Sequence, residues 1–452
     1  MKRLFLTLAA GFVLALAGGV GTAAAGDLLT PPGGPTQSAT QSNDGSNTAD
    51  QSGASNVVVV SGPNIAIANG GSSCSPCGSD GGAVQQNSGN TVDASTSNTA
   101  TQTNDQSNQA GQSQTVKGTS SNADQSAEQS NTGTNSADQS GASNVVVVSG
   151  GNVAAFNPGD VDQNSGNNVD ASTRNNANQS NTQSNDAGQS QTVGKSGQDG
   201  CCSSDHSGDV TQSATQSNEG TNDANQAGAS RVIVVSGPNV AAFNDGDVQQ
   251  NSGNNVDAST WNNAEQTNDQ SNTAGQSQTV GKNGCCSKSA DVSQTADQSN
   301  TGSNTADQSG AYGVTTVSGP NVALANGGHD KCNPCGGDGG TVHQNSGNAV
   351  DASTSNTATQ SNTQSNDLDQ RQKVKGGGWD GCCSKGGDVT QTATQSNDGS
   401  NSADQSGASG VTTVSGHNIA AFNKGGVDQN SGNAVDASTR NRRRSRMTSR
   451  TA

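Results

Sequence analysis

The chain is poor in the residues that build a conventional core. Aromatic side chains make up 2% of its 452 residues. Beyond residue 25 they are Phe156, Phe243, Phe422, Trp261, Trp379 and Tyr312. A globular domain of this length needs far more aromatic and Leu/Ile mass to offset chain entropy. Histidine is scarce too: the four His fall at unrelated places, so no Ser-His-Asp arrangement for nucleophilic catalysis stands out. No phosphate loop or paired-carboxylate site emerges, so the sequence implies no catalytic residue, no cofactor and no enzyme activity. Long apolar runs are missing after residue 25, which argues against an integral membrane segment there. Cations are in the minority, with 20 Lys and Arg against 37 Asp and Glu and a net charge of −17. Six of the Arg lie between Arg440 and Arg450, so the body is more acidic still. Such a body is not expected to bind nucleic acid, because phosphate contacts need Lys and Arg along the binding face.

What the chain has in quantity is Gly, Ser, Asn, Gln, Asp, Thr and Ala. By composition it sits near the disordered class. The first 25 residues read as an export signal. Lys2 and Arg3 supply the positive start, Leu4 to Ala17 an apolar run short for a membrane span, and Ala23-Ala24-Ala25 a small-residue cleavage site. The mature start is placed near Gly26, an uncleaved anchor being the alternative.

Against plain disorder stands a repeat. One phrase returns five times: GASNVVVVSGPN from Gly53, GASNVVVVSGGN from Gly141, GASRVIVVSGPN from Gly228, GAYGVTTVSGPN from Gly310 and GASGVTTVSGHN from Gly407. The steps are 88, 87, 82 and 97 residues, which makes a five-unit array. After a signal at 1–25 and a linker at 26–35, the units span 36–118, 119–207, 208–289, 290–386 and a truncated 387–439, with a basic tail at 440–452. The tail reads as a solvated, disordered end.

Inside each unit runs a ten-residue period. Gln37-x-Ala39-x-Gln41 is followed ten residues later by Asn47-x-Ala49-x-Gln51. Late in the unit come Asn98-x-Ala100-x-Gln102 and Asn108-x-Ala110-x-Gln112; Leu368 replaces the second Ala in unit four. Alternate residues share one face of a β-strand, so Asn, Ala and Gln line one face and Ser, Thr and Asp the other. The reading is an all-β solenoid or β-roll of short Asn/Gln-rich strands, with flexible Gly/Ser-rich linkers. Strands of about five residues alternate with turns such as Ser42-Asn43-Asp44-Gly45-Ser46, two decads forming one coil. Stacked coils then place Ala on Ala, with Gln and Asn amides bonded along the stack. A helix is disfavoured, because the apolar spacing is not 3.6 and Asn, Ser, Thr, Gly and Asp are weak helix formers. The Val phrase reads as a hairpin, Val57 to Val60 turning at Ser61-Gly62-Pro63-Asn64 and returning as Ile65 to Ala68. It is also the best aggregation-prone segment.

The pattern Gln41-x-x-x-Gly45-x-Asn47-x-Ala49-x-Gln51-x-Gly53-x-x-Asn56 resembles the repeats of curlins, the subunits of secreted bacterial amyloid fibres. The resemblance covers the decad segments and leaves out the Val phrase and the cysteines. It implies a β-solenoid subunit with Gln and Asn ladders and ends that template fibre growth. Carried over residue by residue, the ladder positions are Gln41, Asn47, Gln51 and Asn56, and in unit two Gln129, Asn135, Gln139 and Asn144.

Ten cysteines remain: Cys74, Cys77, Cys332 and Cys335 in two Cys-x-x-Cys pairs, and Cys201, Cys202, Cys285, Cys286, Cys382 and Cys383 in adjacent pairs. In an exported chain the favoured reading is disulfide stapling of loops. His329, Cys332, Cys335 and His343 form a zinc-like cluster, but the equivalent place in unit one lacks both His, so no metal is assigned. Redox exchange needs a βαβ setting that is absent. Asp-Gly pairs such as Asp44-Gly45 and Asp338-Gly339 fit no complete calcium loop.

The leading expectation is a secreted structural protein, extracellular or at the cell surface, that self-associates into amyloid-like fibres. Other matrix or cell-surface components are possible partners. A surface adhesin with the repeat array as its display face is the alternative. An ice- or crystal-binding face, which would favour regular Thr rows, is more remote.

Overall fold

The computed structural model describes residues 11–17, 21–25, 36–67, 83–117, 122–156, 159–194, 209–244, 246–281, 291–324, 340–375, 388–421 and 426–451. These residues are all-β. Each repeat unit makes one flattened coil with an outgoing and a returning layer. In unit one the outgoing layer is Thr36–Ser52, Val58–Val60 and Asn64–Ile67. The returning layer is Val84–Asn87, Thr91–Asp93 and Thr96–Lys117. Units two to five repeat the six strands in the same order. Equivalent strands pair in parallel, so the coils build six sheets, five of them 5-stranded. Pairing is in register: Asn47 lies beside Asn135, Asn135 beside Asn222, Asn222 beside Asn304 and Asn304 beside Asn401.

The sixth sheet has seven strands, because Gly11–Ala17 and Gly21–Ala25 both pair with Thr96–Lys117. These segments fall within the stretch read as an export signal.

The core is thin and follows the sequence period. Between the long sheets, Ala49, Ala100, Ala137, Ala177 and their equivalents form one apolar file. Ala39, Ala110, Ala127 and Ala187 form another, against which Leu368 packs. Between the shorter sheets the filling is Val and Ala. Val145 and Val147 of the outgoing layer meet Val169 and Ala171 of the returning one, and Ala154 meets Val161. Most of the remaining interior is amide, with buried hydroxyls such as Ser149, Ser165, Thr173 and Thr316 beside the corners. The largest fully buried side chains are all Gln, among them Gln125, Gln139, Gln179 and Gln226.

Four expectations need correction. The strands are long: Thr36–Ser52 runs 17 residues and Thr96–Lys117 runs 22. Consequently a coil takes a whole unit and not two decads. The reason is Gly45. Its residue faces inward, and a Cβ there would stand 2.7 Å from Gln106 Nε2 and 3.1 Å from Asn104 Oδ1. Asn43-Asp44-Gly45 therefore lets the opposing amides close in and makes no turn.

The Val phrase is a corner, not a hairpin. Val58–Val60 and Asn64–Ile67 belong to different sheets and pair only with other coils. A second corner precedes it, where Asn56 and Asn144 have φ of 55° and 52°, and Gly313 has 70°. This left-handed backbone suits Asn and Gly. The basic tail is ordered too. Thr439–Thr451 is a strand beside Thr354–Lys375 and completes unit five. The linker at 26–35 lies outside the described residues.

Candidate assembly interface

Each inward amide bonds in two directions. Asn135 Nδ2 donates to Ser180 O at 2.9 Å and Asn181 Oδ1 at 3.1 Å in the facing layer, and to Asn222 Oδ1 at 2.9 Å in the next coil. Gln139 Nε2 donates to Asn176 O at 3.1 Å and to Gln51 Oε1 at 2.8 Å. One set of bonds ties the layers together and the other ties the coils. The burial cost of a polar interior is thereby met by satisfied hydrogen bonds.

The ladders have a direction. Along the Asn47 file each amide donates toward the C-terminal unit: Asn47 to Asn135, Asn135 to Asn222, Asn222 to Asn304 and Asn304 to Asn401, all at 2.9–3.0 Å. The Gln51 file runs the other way: Gln139 donates to Gln51, Gln226 to Gln139, Gln308 to Gln226 and Gln405 to Gln308, at 2.7–2.9 Å. Opposite polarity leaves an acceptor at each end. Among the described residues Asn47 Oδ1 in unit one and Gln405 Oε1 in unit five are buried without a hydrogen-bond partner. Asn47 is fully buried and Gln405 is 8% exposed.

The residues singled out by sequence fall into two groups. Asn47, Gln51, Gln129, Asn135 and Gln139 lie buried in the ladders, with Gln41 half-buried at the outer coil, where it accepts from Gln129 Nε2 at 3.0 Å. Asn56 and Asn144 lie at the left-handed corner, where their side chains bond at 3.4 Å near the surface. Sequence reasoning missed Asn43, Asn104, Asn131 and Asn181, taking Ser-Asn as turn chemistry. Asn131 Nδ2 donates to Ser184 O, Asn185 Oδ1 and Asn218 Oδ1, each at 3.0 Å. The signal was present, because odd positions from Gln37 to Gln51 hold only Gln, Asn, Ala or Gly.

Cys74, Cys77, Cys201, Cys202, Cys285, Cys286, Cys332, Cys335, Cys382, Cys383 and His329 lie outside the described residues. His343 points outward from Val342–Asn345, its Nδ1 3.7 Å from Asp428. Among the described residues no group of three His, Cys, Asp or Glu could hold a metal ion, and no helix is long and apolar enough to cross a membrane.

The outer face of the long outgoing sheet carries Ser, Thr and eleven Asp or Glu, with no Lys or Arg. Partial burial in this face raises the pKa of Asp223, and the carboxylates of Asp138 and Asp307 raise it further. Asp247, outside this sheet, is held low by donation from the backbone N–H and hydroxyl of Thr341. Compared with protein-family models, curated proteins and solved structures, the chain matches none.

Proposed function

We propose that the protein is a secreted structural subunit that stacks end to end into amyloid-like fibres outside the cell or at its surface. The observation that carries this reading is the pair of buried acceptors at opposite ends. With unit five of one copy set on unit one of the next, in the register the units already use, both acceptors gain donors. Asn401 Nδ2 would donate to Asn47 Oδ1, as Asn304 Nδ2 does to Asn401 Oδ1. Gln51 Nε2 would donate to Gln405 Oε1, as Gln139 Nε2 does to Gln51 Oε1. Gly11–Ala17 and Gly21–Ala25 lie on the unit-one edge of Thr96–Lys117, so the junction forms once this export segment has been removed. Each buried acceptor that it pairs relieves about 1–3 kcal/mol.

Four sheets carry the inward pattern into unit five unaltered, and a fifth carries it with Thr316 and Thr413 in the file of Val59, Val147 and Val234. The sixth does not: in Thr439–Thr451 the Asn file continues at Asn441, but Arg443, Ser445, Met447 and Ser449 stand beside Ala358, Gln360, Asn362 and Gln364. That row is the weakest part of the junction. Its Arg443 would face an apolar file unpaired, a device that blunts sheet edges.

Fibre diffraction of the protein after incubation tests the reading. The expected pattern is cross-β, with a strand reflection near 4.7 Å along the fibre axis. A chain that stays monomeric at high concentration refutes it.

A further inference from the structure

The outer face of the outgoing layer changes character at the corner after Ser52. The long sheet presents hydroxyls and carboxylates, but the two short sheets present apolar side chains. One outward file is Val60, Val148, Val235, Val317 and Val414. Across the Ser61-Gly62-Pro63 corner the next is Ile65, Val153, Val240, Val322 and Ile419. At the outer coil Val60 is 68% exposed and Ile65 is 65% exposed. The inward neighbours Val59, Val147 and Val234 fill the core, so these outward residues are not needed there. Five rows at about 4.8 Å and a width of about 25 Å give an apolar patch of about 600 Å². That reaches the upper end of patches found on soluble monomers.

We infer that this patch is a lateral interface whose occupant is the same patch of a second copy. The inference rests on the stacking proposed above. The shared row spacing selects a second copy as the partner, and charge selects the geometry. The chain is strongly acidic, and eleven carboxylates without a cation occupy the adjoining long sheet. A two-fold axis along the strands would lay these acidic faces on each other. A two-fold axis along the stacking direction reverses the strands instead, covers patch with patch and sends the two acidic faces to opposite sides. Row spacing matches at every level, because both partners have the same repeat. The paired stacks therefore run with the same polarity.

Area fixes when pairing occurs. One chain against another covers about 1,200 Å² in total, at the floor for stable interfaces. Stacking multiplies this contact without new chemistry, so pairing is a property of fibres and not of single chains.

The test replaces the outward file with Thr (Val60→Thr, Val148→Thr, Val235→Thr, Val317→Thr and Val414→Thr). Thr already stands outward at Thr315 and Thr412 in the neighbouring file, and it keeps strand propensity. Mass per length by dark-field electron microscopy is the readout, with circular dichroism as the check on folding. The parent is expected to show two chains per stack repeat of about 24 Å. The variant is expected to show half that, with growth rate unchanged. Parent fibres with one chain per repeat, or a variant that keeps two, overturn the inference. A second variant, Val148→Lys with Val235→Lys, leaves the end coils untouched and must also halve the value. Failure of the parent to form any fibre refutes the stacking reading itself, which separates the two outcomes.

Discussion

Replacing Asn222 with Ala tests the amide ladder at a site remote from either end. Asn222 Nδ2 donates to Thr267 O at 2.9 Å, Asn268 Oδ1 at 3.1 Å and Asn304 Oδ1 at 2.9 Å. Its Oδ1 accepts from Asn135 Nδ2 at 2.9 Å and Asn181 Nδ2 at 3.1 Å. Two N–H groups and two accepting directions are therefore lost. At about 1 kcal/mol net for each, the loss is about 4 kcal/mol. Because coils contact only their neighbours, the damage stays local and hydrogen exchange suits it better than global unfolding. Amides in Val210–Ala227 and Thr260–Gly281 should lose protection by roughly a thousand-fold, since about 1.4 kcal/mol corresponds to a factor of ten. The control is the next residue. Asp223→Ala changes an outward side chain that is disfavoured in its charged form, and protection should move by less than a factor of about three. Equal effects at the two positions would falsify the alternation of ladder and surface, and with it the ladder as the source of stability.

Two glycines separate close approach from open surface. A Cβ on Gly166 would stand 2.1 Å from Gly253 O in the next coil, whereas one on Gly188 meets nothing within 4 Å. Gly166→Ala should cost at least about 3 kcal/mol in chemical denaturation, and Gly188→Ala should be neutral or stabilising by about 0.5–1 kcal/mol; equal midpoints would refute the close stacking of these corners. The pH response follows from Asp223. Its folded pKa is raised, so the folded state carries a penalty at neutral pH that disappears as pH falls through that raised value. Asp247 works oppositely, its pKa lowered, so its contribution is lost only as pH falls below the ordinary 3.8. Stability by urea titration should therefore rise from pH 7 toward the ordinary carboxylate value, and Asp223→Asn should shrink the rise; a monotonic fall on acidification would contradict this.

Much of the fold was legible because parity in a strand is binary. Once Ala39 and Gln41 shared a face, so did every second residue, and the buried Asn, Gln and Ala files followed. Turn chemistry was misleading. Asn-Asp-Gly-Ser is turn vocabulary when read locally, yet here Asn43 is a ladder residue and Gly45 a gap for facing amides. Only the opposing layer decides between those roles, and nothing in a ten-residue window describes that layer. The Val phrase failed for a related reason. A Gly-Pro corner between β-branched runs serves a hairpin or a change of sheet equally well, and Val58 finds its partner in Val146, a whole unit away. The ordered tail was hidden by its charge. Thr439 and Asn441 keep the file of Thr354 and Asn356, but six Arg obscured the continuation.

The units differ in length while the long returning strands of the first four do not. Thr96–Lys117, Thr173–Gly194, Thr260–Gly281 and Thr354–Lys375 each run 22 residues. The steps of 82 to 97 residues are absorbed in the connections. Units one to four thus offer their neighbours the same long returning edge. Unequal recombination between repeats would add or remove a whole storey and leave the roof and the foundation as they were. Under the stacking proposed above, a change in the number of middle units would alter the length of the subunit and not the surfaces at its ends. Variants with fewer or more units would then enter one polymer, and the Arg-bearing row of unit five would mark each junction.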